Sequence, residues 1–370
     1  MHLTHLRLRD FRNYARLDVA LGPGFHLLVG DNAQGKTNLL EALYVLATLR
    51  SFRGVGAQQL VRHGAKGWFA GAELVAGTAH ALKLYWSPAE RRLAVDGRPV
   101  RRLGDFYGLV RAVVFCTEDL QLVKGAGRTR RRFLDLLLAQ TLPGYLALLQ
   151  RYARALRSRN ALLKSPAPDP AVLRGFSQEL VAAGESLLAR RRELLPRLAP
   201  LAQAAHRRIA GGADELHLEY RPAVRADFAV ELAQSRDRER ALRQTVVGPH
   251  RDELALLVNG RAAAQFASEG QKRTVAPALK VAQAEHPAAA AGTPPILLLD
   301  DVMGELDARR RAGLLPLLEQ VHRKRGQVFM TCTEENWPAE LGLEFQRWRV
   351  REGTLERLEG APPRPPSAAQ

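Results

Sequence analysis

The segment Gly30–Thr37 constrains this chain most, because it matches the phosphate-loop pattern G-x-x-x-x-G-K-[ST]. In such a loop, glycines let backbone N–H groups turn inward around phosphate oxygens, the lysine reaches the β- and γ-oxygens, and the threonine hydroxyl ligates magnesium. An apolar strand, Phe25–Val29, precedes the loop, and a helical apolar pattern follows Thr37, so that a helix N-terminus would face the phosphates. A chance match is the alternative, but these flanking elements favour a nucleotide site. The candidate cofactor-binding residues here are Gly30, Asp31, Asn32, Ala33, Gln34, Gly35, Lys36, Thr37 and Asn38.

A second apolar strand, Ile296–Leu299, ends in the acids Asp300 and Asp301. At the carboxyl end of a buried parallel strand, Asp300 would hold, with Thr37, the magnesium ion that bridges the phosphates. We expect Asp301 to point to the other side of the strand and to polarise the attacking water. A strand followed by an acidic turn or helix cap is the alternative. With the phosphate loop in the same chain, the catalytic candidates are Lys36, Asp300 and Asp301.

Ser268, Gly270 and Gln271 open a further helix. Ser268 with Gln271 three residues later is the pattern of a capping box. The same hydroxyl and glycine amide at a helix N-terminus also form an anion site, which could clasp a γ-phosphate carried by a second subunit. Asp307 follows the second strand, either as a helix N-cap or as part of a loop at a subunit interface. S-x-G-Q, then two acids after an apolar strand, then E-L-D is the motif order of ABC-type ATPases.

Composition narrows the partners. The net charge of +17 attracts polyanions, either nucleic acid or an anionic membrane surface. The sequence contains no run of about 18 apolar residues, so it predicts no membrane span. The first residues lack the pattern of a signal peptide. Two cysteines, Cys116 and Cys332, are too few for a disulfide framework, and we expect both to be core thiols in a cytoplasmic protein.

Residues 121–165 carry ten basic side chains and one acid. Such a cluster binds nucleic-acid phosphates through counterion release, although the solvated face of an arginine-rich helix is the alternative. Aromatic residues make up only 6% of the chain, which favours duplex-backbone binding over base stacking on single strands. The candidate DNA-binding residues are Arg130, Arg131, Arg132, Arg151 and Arg154.

The remaining patterns indicate an α/β chain with a helical insertion. We expect an antiparallel meander over 68–100, two long helices meeting at a proline-rich turn at 165–170, and short strands over 213–260. The tail from Gly360 has the composition of an unstructured segment.

Several further segments resemble the RecF family, recombination mediators related to SMC-type heads. The resemblance runs in order over roughly residues 1–335, and some of its segments are not general ABC features. Those are notably Phe11–Tyr14 and Gly248–Asp252. The other segments that carry the resemblance are Leu49–Arg53, Glu118–Leu120, Val123–Gly125 and Arg131–Asp135.

The resemblance implies an ABC-type P-loop ATPase head with a mixed β-sheet (lobe I) and a helical lobe II with a short antiparallel helical hairpin. It implies lobe I at 1–120 and 286–352, lobe II at 121–285, and a flexible tail at 353–370. The activity implied is slow ATP hydrolysis with Mg²⁺, in a homodimer that ATP induces and that binds duplex or gapped DNA. Its partners would be RecO and RecR, which help to load RecA, and no membrane is involved.

Carried onto this sequence, the resemblance places Lys36, Thr37, Asp300 and Asp301 on the nucleotide of their own subunit. Ser268, Gly270 and Gln271 would meet the nucleotide of the partner, with Asp307 at the interface. The chain departs from the family at Ala33 and at Glu253, where a second aspartate is common.

Three other functions remain open. An ABC transporter subunit is disfavoured because the interval from Lys36 to Asp300 is far too long for a plain transporter head. A long-armed SMC-type tether is disfavoured because the predicted helical arm has about 35–40 residues per side without sustained heptads. A nucleotide-gated DNA clamp, in which hydrolysis only resets binding, differs from the ATPase mainly in emphasis.

Overall fold

The computed structural model describes residues 1–167, 169–212, 214–333 and 345–358. Its strands are His2–Phe11 (β1), Tyr14–Ala20 (β2), Gly24–Val29 (β3), Trp68–Ala76 (β4), Thr78–Trp86 (β5), Arg91–Val95 (β6), Arg98–Pro99 (β7), Ala112–Phe115 (β8), Leu216–Arg221 (β9), Glu253–Val258 (β10), Arg261–Ala262 (β11), Ile296–Leu299 (β12), Gln327–Cys332 (β13), Phe345–Arg351 (β14) and Thr354–Leu358 (β15). Its helices are Lys36–Thr48 (α1), Gln121–Lys124 (α2), Gly127–Thr141 (α3), Tyr145–Leu163 (α4), Pro170–Ala210 (α5), Phe228–Gln234 (α6), Arg236–Leu242 (α7), Ala263–Phe266 (α8), Glu269–Ala291 (α9), Val302–Glu305 (α10) and Ala308–Arg323 (α11).

The chain divides into two compact units. The first, here called the sheet unit, comprises Met1–Asp119, Arg208–Gly211 and the part from Pro277 onward; the second, the helical unit, comprises Leu120–Arg207 and Gly212–Ala276. The helical unit therefore ends within α9, before the predicted boundary at residue 285. A continuous helix carries no composition change at that point, so the sequence offers no signal for it.

Two six-stranded sheets build the sheet unit. One is antiparallel, in the order β2-β1-β4-β5-β6-β7, and includes the predicted meander with its turn at Asp96-Gly97. The other has the order β15-β14-β3-β13-β12-β8, in which all neighbours pair in parallel except β14 and β15. Strands β8 and β12 are buried along their whole length, as parallel strands covered on both faces are. The predicted mixed α/β architecture is confirmed.

The helical unit contains the predicted hairpin, with a first helix, α4, of only 19 residues and a second, α5, of 41. Arg151 of α4 binds Glu179 of α5, and Arg159 binds Ser177, so the two helices run antiparallel. The first predicted long helix is in fact two helices, α3 and α4. The reason lies at residues 142–144, where proline offers no backbone donor and Gly144 takes a φ of 82°.

The interval 213–260 was expected to contain only short strands, and it contains helices as well. Between β9 and β10 the chain forms the short helices α6 and α7, and the carboxylate of Asp227 caps α6 by accepting from the backbone N–H of Val230 at 2.8 Å. A turn at Asn259-Gly260 joins β10 to β11. The tail predicted from residue 353 is wrong for Thr354–Leu358, which pairs with β14 as β15. The stretch from Gly360 lies outside the described residues.

The segment Gly248–Asp252 lies at the centre of the helical unit. The fully buried carboxylate of Asp252 accepts from Arg191 at 2.7 Å and from the backbone N–H of Ala223 at 2.9 Å. Arg191 also binds Asp135 at 2.9 Å and thereby joins α3, α5 and β10. Because a buried charge is costly unless it is paired, we infer that this network specifies how these elements pack.

His250 of the same segment has hydrogen-bonding partners at both ring nitrogens. Its Nδ1 lies 2.6 Å from the Tyr152 hydroxyl, and its Nε2 lies 3.2 Å from the Thr245 carbonyl oxygen. Burial lowers the pKa of His250 to about 4. A side chain added at Gly248 would meet the Tyr152 hydroxyl at 2.6 Å, which explains the glycine. The segment is therefore part of the packing of this unit.

No helix within the described residues is both long enough and apolar enough to traverse a bilayer.

His26 in β3 predicts a pH dependence of stability. It is fully buried, its Nδ1 accepts from the indole N–H of Trp348 at 3.0 Å, and its Nε2 lies 2.8 Å from the Gly22 carbonyl oxygen. Burial lowers its pKa to about 4, from 6.5. As the pH falls, the unfolded chain therefore binds the extra proton before the folded chain does. The contribution of His26 to the free energy of unfolding is fully present above pH 6.5 and is lost as the pH falls toward 4.

We expect His26 alone to contribute about 3 kcal/mol to that loss. Urea unfolding at several pH values should show a shallower acid decline for His26→Gln than for the unsubstituted protein. His63→Gln, at an exposed histidine, is the matched control and should keep the original decline. Equal declines for all three proteins would contradict this role.

Candidate nucleotide-binding site

The candidate site lies at one edge of the parallel sheet. Strands β3, β13, β12 and β8 are neighbours in this order and run in parallel, so their carboxyl ends meet at the same edge. The phosphate loop follows β3, and Asp300 and Asp301 follow β12. Ligands of open parallel sheets bind at such an edge.

The phosphate loop ends in the open N-terminus of α1. Gly35 is the N-cap, with a φ of 119°, and neither a side-chain cap nor an acidic residue occupies the first turn. The Lys36 ammonium is buried and donates to the carbonyl oxygens of Gly30, at 2.5 Å, and Asp31, at 3.0 Å. Together they make a positively polarised site for an anion. Asp31, Asn32 and Ala33 are exposed.

Asn13 and Tyr14 hold the loop in place. The Asn13 amide donates to the Gln34 carbonyl oxygen at 2.8 Å and accepts from the Asn38 amide at 2.9 Å. The Tyr14 hydroxyl donates to the Gly35 carbonyl oxygen at 3.1 Å. These contacts give the segment Phe11–Tyr14 a positioning role, which the sequence did not indicate.

The turn between β14 and β15 supports the other side of the loop. The backbone N–H of Gly353 donates to the Gln34 carbonyl oxygen at 3.0 Å, and that of Glu352 to the Gln34 side chain at 2.8 Å. A side chain at Gly30 would come within 2.3 Å of the Val350 carbonyl oxygen. The loop is thus held by backbone N–H groups of a hairpin that lies far away in the sequence, since Glu352 and Gln34 are 318 positions apart.

A buried carboxylate stabilises α1 behind the loop. Glu41 is fully buried and accepts two hydrogen bonds from Arg12, at 2.7 and 2.9 Å. It also accepts a hydrogen bond from the Ser51 hydroxyl. Arg53 donates to the Asn38 side chain at 3.1 Å and so lies beside the loop.

The acidic end of the site contains Thr37, Thr331 and the two acids. The Thr37 hydroxyl donates to the Asp300 carboxylate at 2.8 Å, across 263 positions of sequence. The Thr331 hydroxyl lies 3.1 Å from the Asp300 carboxylate and 3.2 Å from that of Asp301. It also accepts from the backbone N–H of Asp301 at 2.8 Å.

The prediction that Asp301 points to the other side of the strand is therefore wrong. Asp301 lies beyond Leu299, the last residue of β12, and its φ of 54° turns it away from the alternation of a strand. Both carboxylates consequently reach the same Thr331 hydroxyl. Thr331 itself was not predicted as a site residue, because only the strand order places β13 between β3 and β12.

These residues fit a magnesium ion. The pKa of Asp300 is raised above its ordinary value, mainly by burial and further by the charge of Asp301. The hydrogen bonds from Thr37 and Thr331 oppose this shift. No cluster of three or more histidine, cysteine or acidic side chains suited to a metal occurs in the described part of the chain. One hydroxyl and one carboxylate match a magnesium site, since Mg²⁺ usually takes its other ligands from water and substrate phosphates.

The residues of the predicted signature form a capping box. The Ser268 hydroxyl accepts from the backbone N–H of Gln271 at 3.2 Å, and the Gln271 side chain accepts from the Ser268 N–H at 2.8 Å. Among the described residues the Ser268 hydroxyl donates no hydrogen bond, so its proton is open to a further acceptor. Gly270 lies in the first turn of α9, and Asp307 caps α11 by accepting from the Arg310 N–H at 2.8 Å. The structural alternatives for Ser268 and Asp307 are thus realised.

The ten basic residues of 121–165 divide equally into two groups. Five bind partners within the helical unit, Lys124 and Arg159 through ion pairs with Glu269 and Glu239. Arg130 binds the Glu253 carboxylate at 2.6 Å, Arg131 donates to the Asp252 carbonyl oxygen at 2.6 Å, and Arg151 pairs with Glu179. These three are committed to contacts within the unit. The exposed members of the set, without an ion pair among the described residues, are Arg128, Arg132, Arg154, Arg157 and Lys164.

The sequence was compared with family profiles and with known proteins. No protein-family profile matches the chain. The chain is 40% identical over 375 residues to DNA replication and repair protein RecF of Symbiobacterium thermophilum, covering 96% of this chain and 98% of that protein. It is 42% identical over 371 residues to the protein of that name from Thermosynechococcus vestitus, with 96% and 97% covered.

Solved structures give the same result. A structure of the recombination mediator protein RecF with ATP, in the RecFOR pathway, superposes with a TM-score of 0.88 at 27% identity, over 97% of this chain and 98% of that one. An Smc head domain from Pyrococcus furiosus has a TM-score of 0.56 at 15% identity, over 96% of both chains, which shows a common fold alone. The chain belongs to the RecF family of DNA replication and repair proteins, and its fold is that of an ABC-type ATPase head.

Proposed function

We propose that this protein is an ATP-dependent DNA-binding protein of recombinational repair and replication, with slow ATPase activity. The observation that carries the proposal is the 2.8 Å hydrogen bond between the Thr37 hydroxyl and the Asp300 carboxylate. It joins the phosphate loop to the acidic strand end at the distance at which both groups can ligand one magnesium ion. The family relation supports the repair role.

Each residue of the site has a distinct task in this proposal. Lys36, which now donates to loop carbonyl oxygens, would turn to the β- and γ-phosphate oxygens of ATP. Thr37 and Asp300 would hold magnesium, which stabilises negative charge on the phosphates. Asp301 would accept a hydrogen bond from the attacking water, and Thr331, within 3.2 Å of both carboxylates, orients the pair.

Substitutions in this site should separate binding from hydrolysis. Lys36→Ala removes the phosphate-binding ammonium, and we expect ATP affinity to fall by about a hundredfold. Asp301→Asn keeps the size of the side chain, so ATP affinity should change little, while turnover should fall by at least about a hundredfold. Calorimetric titration and phosphate release measure the two quantities. Retained turnover in Asp301→Asn would show that Asp301 is not the group that orients water.

We propose further that two copies assemble on ATP, each nucleotide lying between one phosphate loop and the signature of the other copy. Support comes from Ser268 at the N-terminus of α9, whose hydroxyl proton can be donated to a γ-phosphate. Gly270 and Gln271 would contribute with it, and Asp307 would lie at the interface.

Sizing the protein by light scattering tests this assembly. We expect a dimer with ATP and magnesium and a monomer without nucleotide. Ser268→Arg should lose the dimer, because the long arginine side chain fills the space that the γ-phosphate would occupy. Ser186→Arg, at an exposed serine of α5, is the matched control and should still dimerise. Dimers of Ser268→Arg at the original affinity would remove Ser268 from the interface.

For DNA, we propose that the exposed arginines Arg132 and Arg154 contact phosphates. The pairing of Arg130, Arg131 and Arg151 inside the helical unit supports a structural role for those three. With RecO and RecR, the DNA-bound protein would direct RecA to gapped DNA, the task implied by the family.

Measured against salt, DNA affinity separates the two groups of arginines. Arg132→Ala and Arg154→Ala should each weaken duplex binding irrespective of sequence and lower the slope of log affinity against log salt by about 1. Arg130→Ala should instead lower the melting temperature, since it leaves the partly buried Glu253 without its partner. An unchanged salt slope in both exposed variants would place the DNA elsewhere.

A further inference from the structure

A groove opens in the helical unit, and none of the residues assigned above to nucleotide or DNA lines it. It has a volume of about 510 Å³ and lies between the end of α4, the start of α5, α6 and α7. Its apolar wall comes from all these elements except α7, and its polar wall is rich in arginine. Its lining includes the apolar residues Leu163, Leu173, Ala182 and Ala233 and the basic residues Arg174 and Arg236.

A buried ion pair builds the base of the groove. Arg159 of α4 donates to the Glu239 carboxylate of α7 at 2.9 Å and to the Ser177 hydroxyl of α5 at 2.9 Å. It also donates to the Thr245 hydroxyl at 2.8 Å, and the side chains of Arg159 and Glu239 are only 3% and 1% exposed. These contacts tie α4, α5 and α7 together, so this side of the groove is held in place before a ligand binds.

Exposed apolar residues lie on the helices that form this groove. Among the described residues, four large apolar side chains stand out as exposed, and three are on the helices of the groove: Val172 on α5, Val230 on α6 and Leu242 on α7, at 43%, 52% and 50%. Each leaves apolar surface in water that a partner could cover. Such a concentration on one set of helices is typical of an interaction surface.

The charges of the groove select the partner. Arg174 and Arg236 are exposed and form no ion pair with any described residue, whereas Arg240 lies 3.8 Å from the fully exposed Asp237. Of the two acids in the lining, Glu239 is already neutralised by Arg159, which leaves Glu185 alone. The free charge of the rim is therefore positive, around an apolar centre.

We propose that this groove binds a short acidic peptide segment of another protein, with an apolar side chain inserted between α5 and α6 and carboxylates on Arg174 and Arg236. DNA would match the arginines but not the apolar centre, since phosphates and sugars have nothing to insert there. The chain's own segment 359–370 does not match either, because its sequence has one acid and no large apolar residue.

Fluorescence polarisation of the full-length protein tests the proposal. The probe is a fluorescein-labelled peptide of about ten residues with alternating aspartates and one central phenylalanine. We expect Arg236→Glu to weaken its binding by about tenfold, through one reversed charge in a partly desolvated contact. Arg238→Glu, an exposed arginine of the same helix outside the groove, is the matched control and should bind within about twofold of the original.

A second pair of variants tests the apolar centre. Ala233→Trp fills the groove and should weaken binding by at least about tenfold, whereas Ala189→Trp, at an exposed alanine of α5 outside the groove, should not. All four positions are exposed, so melting temperatures should stay close to that of the unsubstituted protein. ATP turnover should be unchanged too, which separates this proposal from that of the nucleotide site.

Three results would overturn the proposal. The probe fails to bind the unsubstituted protein at high micromolar concentration; Arg238→Glu weakens it as much as Arg236→Glu, which indicates general charge attraction; or Ala233→Trp leaves it bound. A duplex DNA probe run in parallel identifies the alternative. If Arg236→Glu and Ala233→Trp weaken duplex binding while peptide binding persists, the groove belongs to a nucleic-acid surface.

Discussion

The candidate site depends on one short contact, the hydrogen bond between the Thr37 hydroxyl and the Asp300 carboxylate. Parallel pairing makes this contact possible, because β3 and β12 end at the same edge with only β13 between them. The intervening strand contributes Thr331, whose hydroxyl lies within reach of both acids. A shift of any one strand would separate the magnesium ligands, so the sheet order and the chemistry are a single constraint.

The segments typical of this family divide between two structural tasks. Asn13 and Tyr14 bind the carbonyl oxygens of the phosphate loop and thereby fix its shape. Asp252 and Asp135 bind Arg191 and thereby organise the helical unit. Neither set needs to touch a ligand. Both replace water around buried polar groups with fixed partners, which sets one packing arrangement above its competitors.

The charged surface is less uniform than its composition suggests. A net charge of +17 describes the whole chain, yet Arg130 and Arg159 are taken up by Glu253 and Glu239 inside the helical unit. Arg132 on the same helix as Arg130 faces solvent. Function therefore depends on which guanidinium groups remain in water, a property that neighbouring residues in sequence do not share.

The sequence by itself determined the local chemistry: the glycine loop at Gly30–Thr37, the acids after an apolar strand, and the capping residues Ser268 and Asp307. These depend on short-range geometry, which residue spacing specifies. The tertiary structure alone decided the side to which Asp301 turns, the part played by Thr331, and the partners of the arginines. Those outcomes depend on strand order and on contacts between residues far apart in the chain, and no local pattern encodes the distance between two such residues.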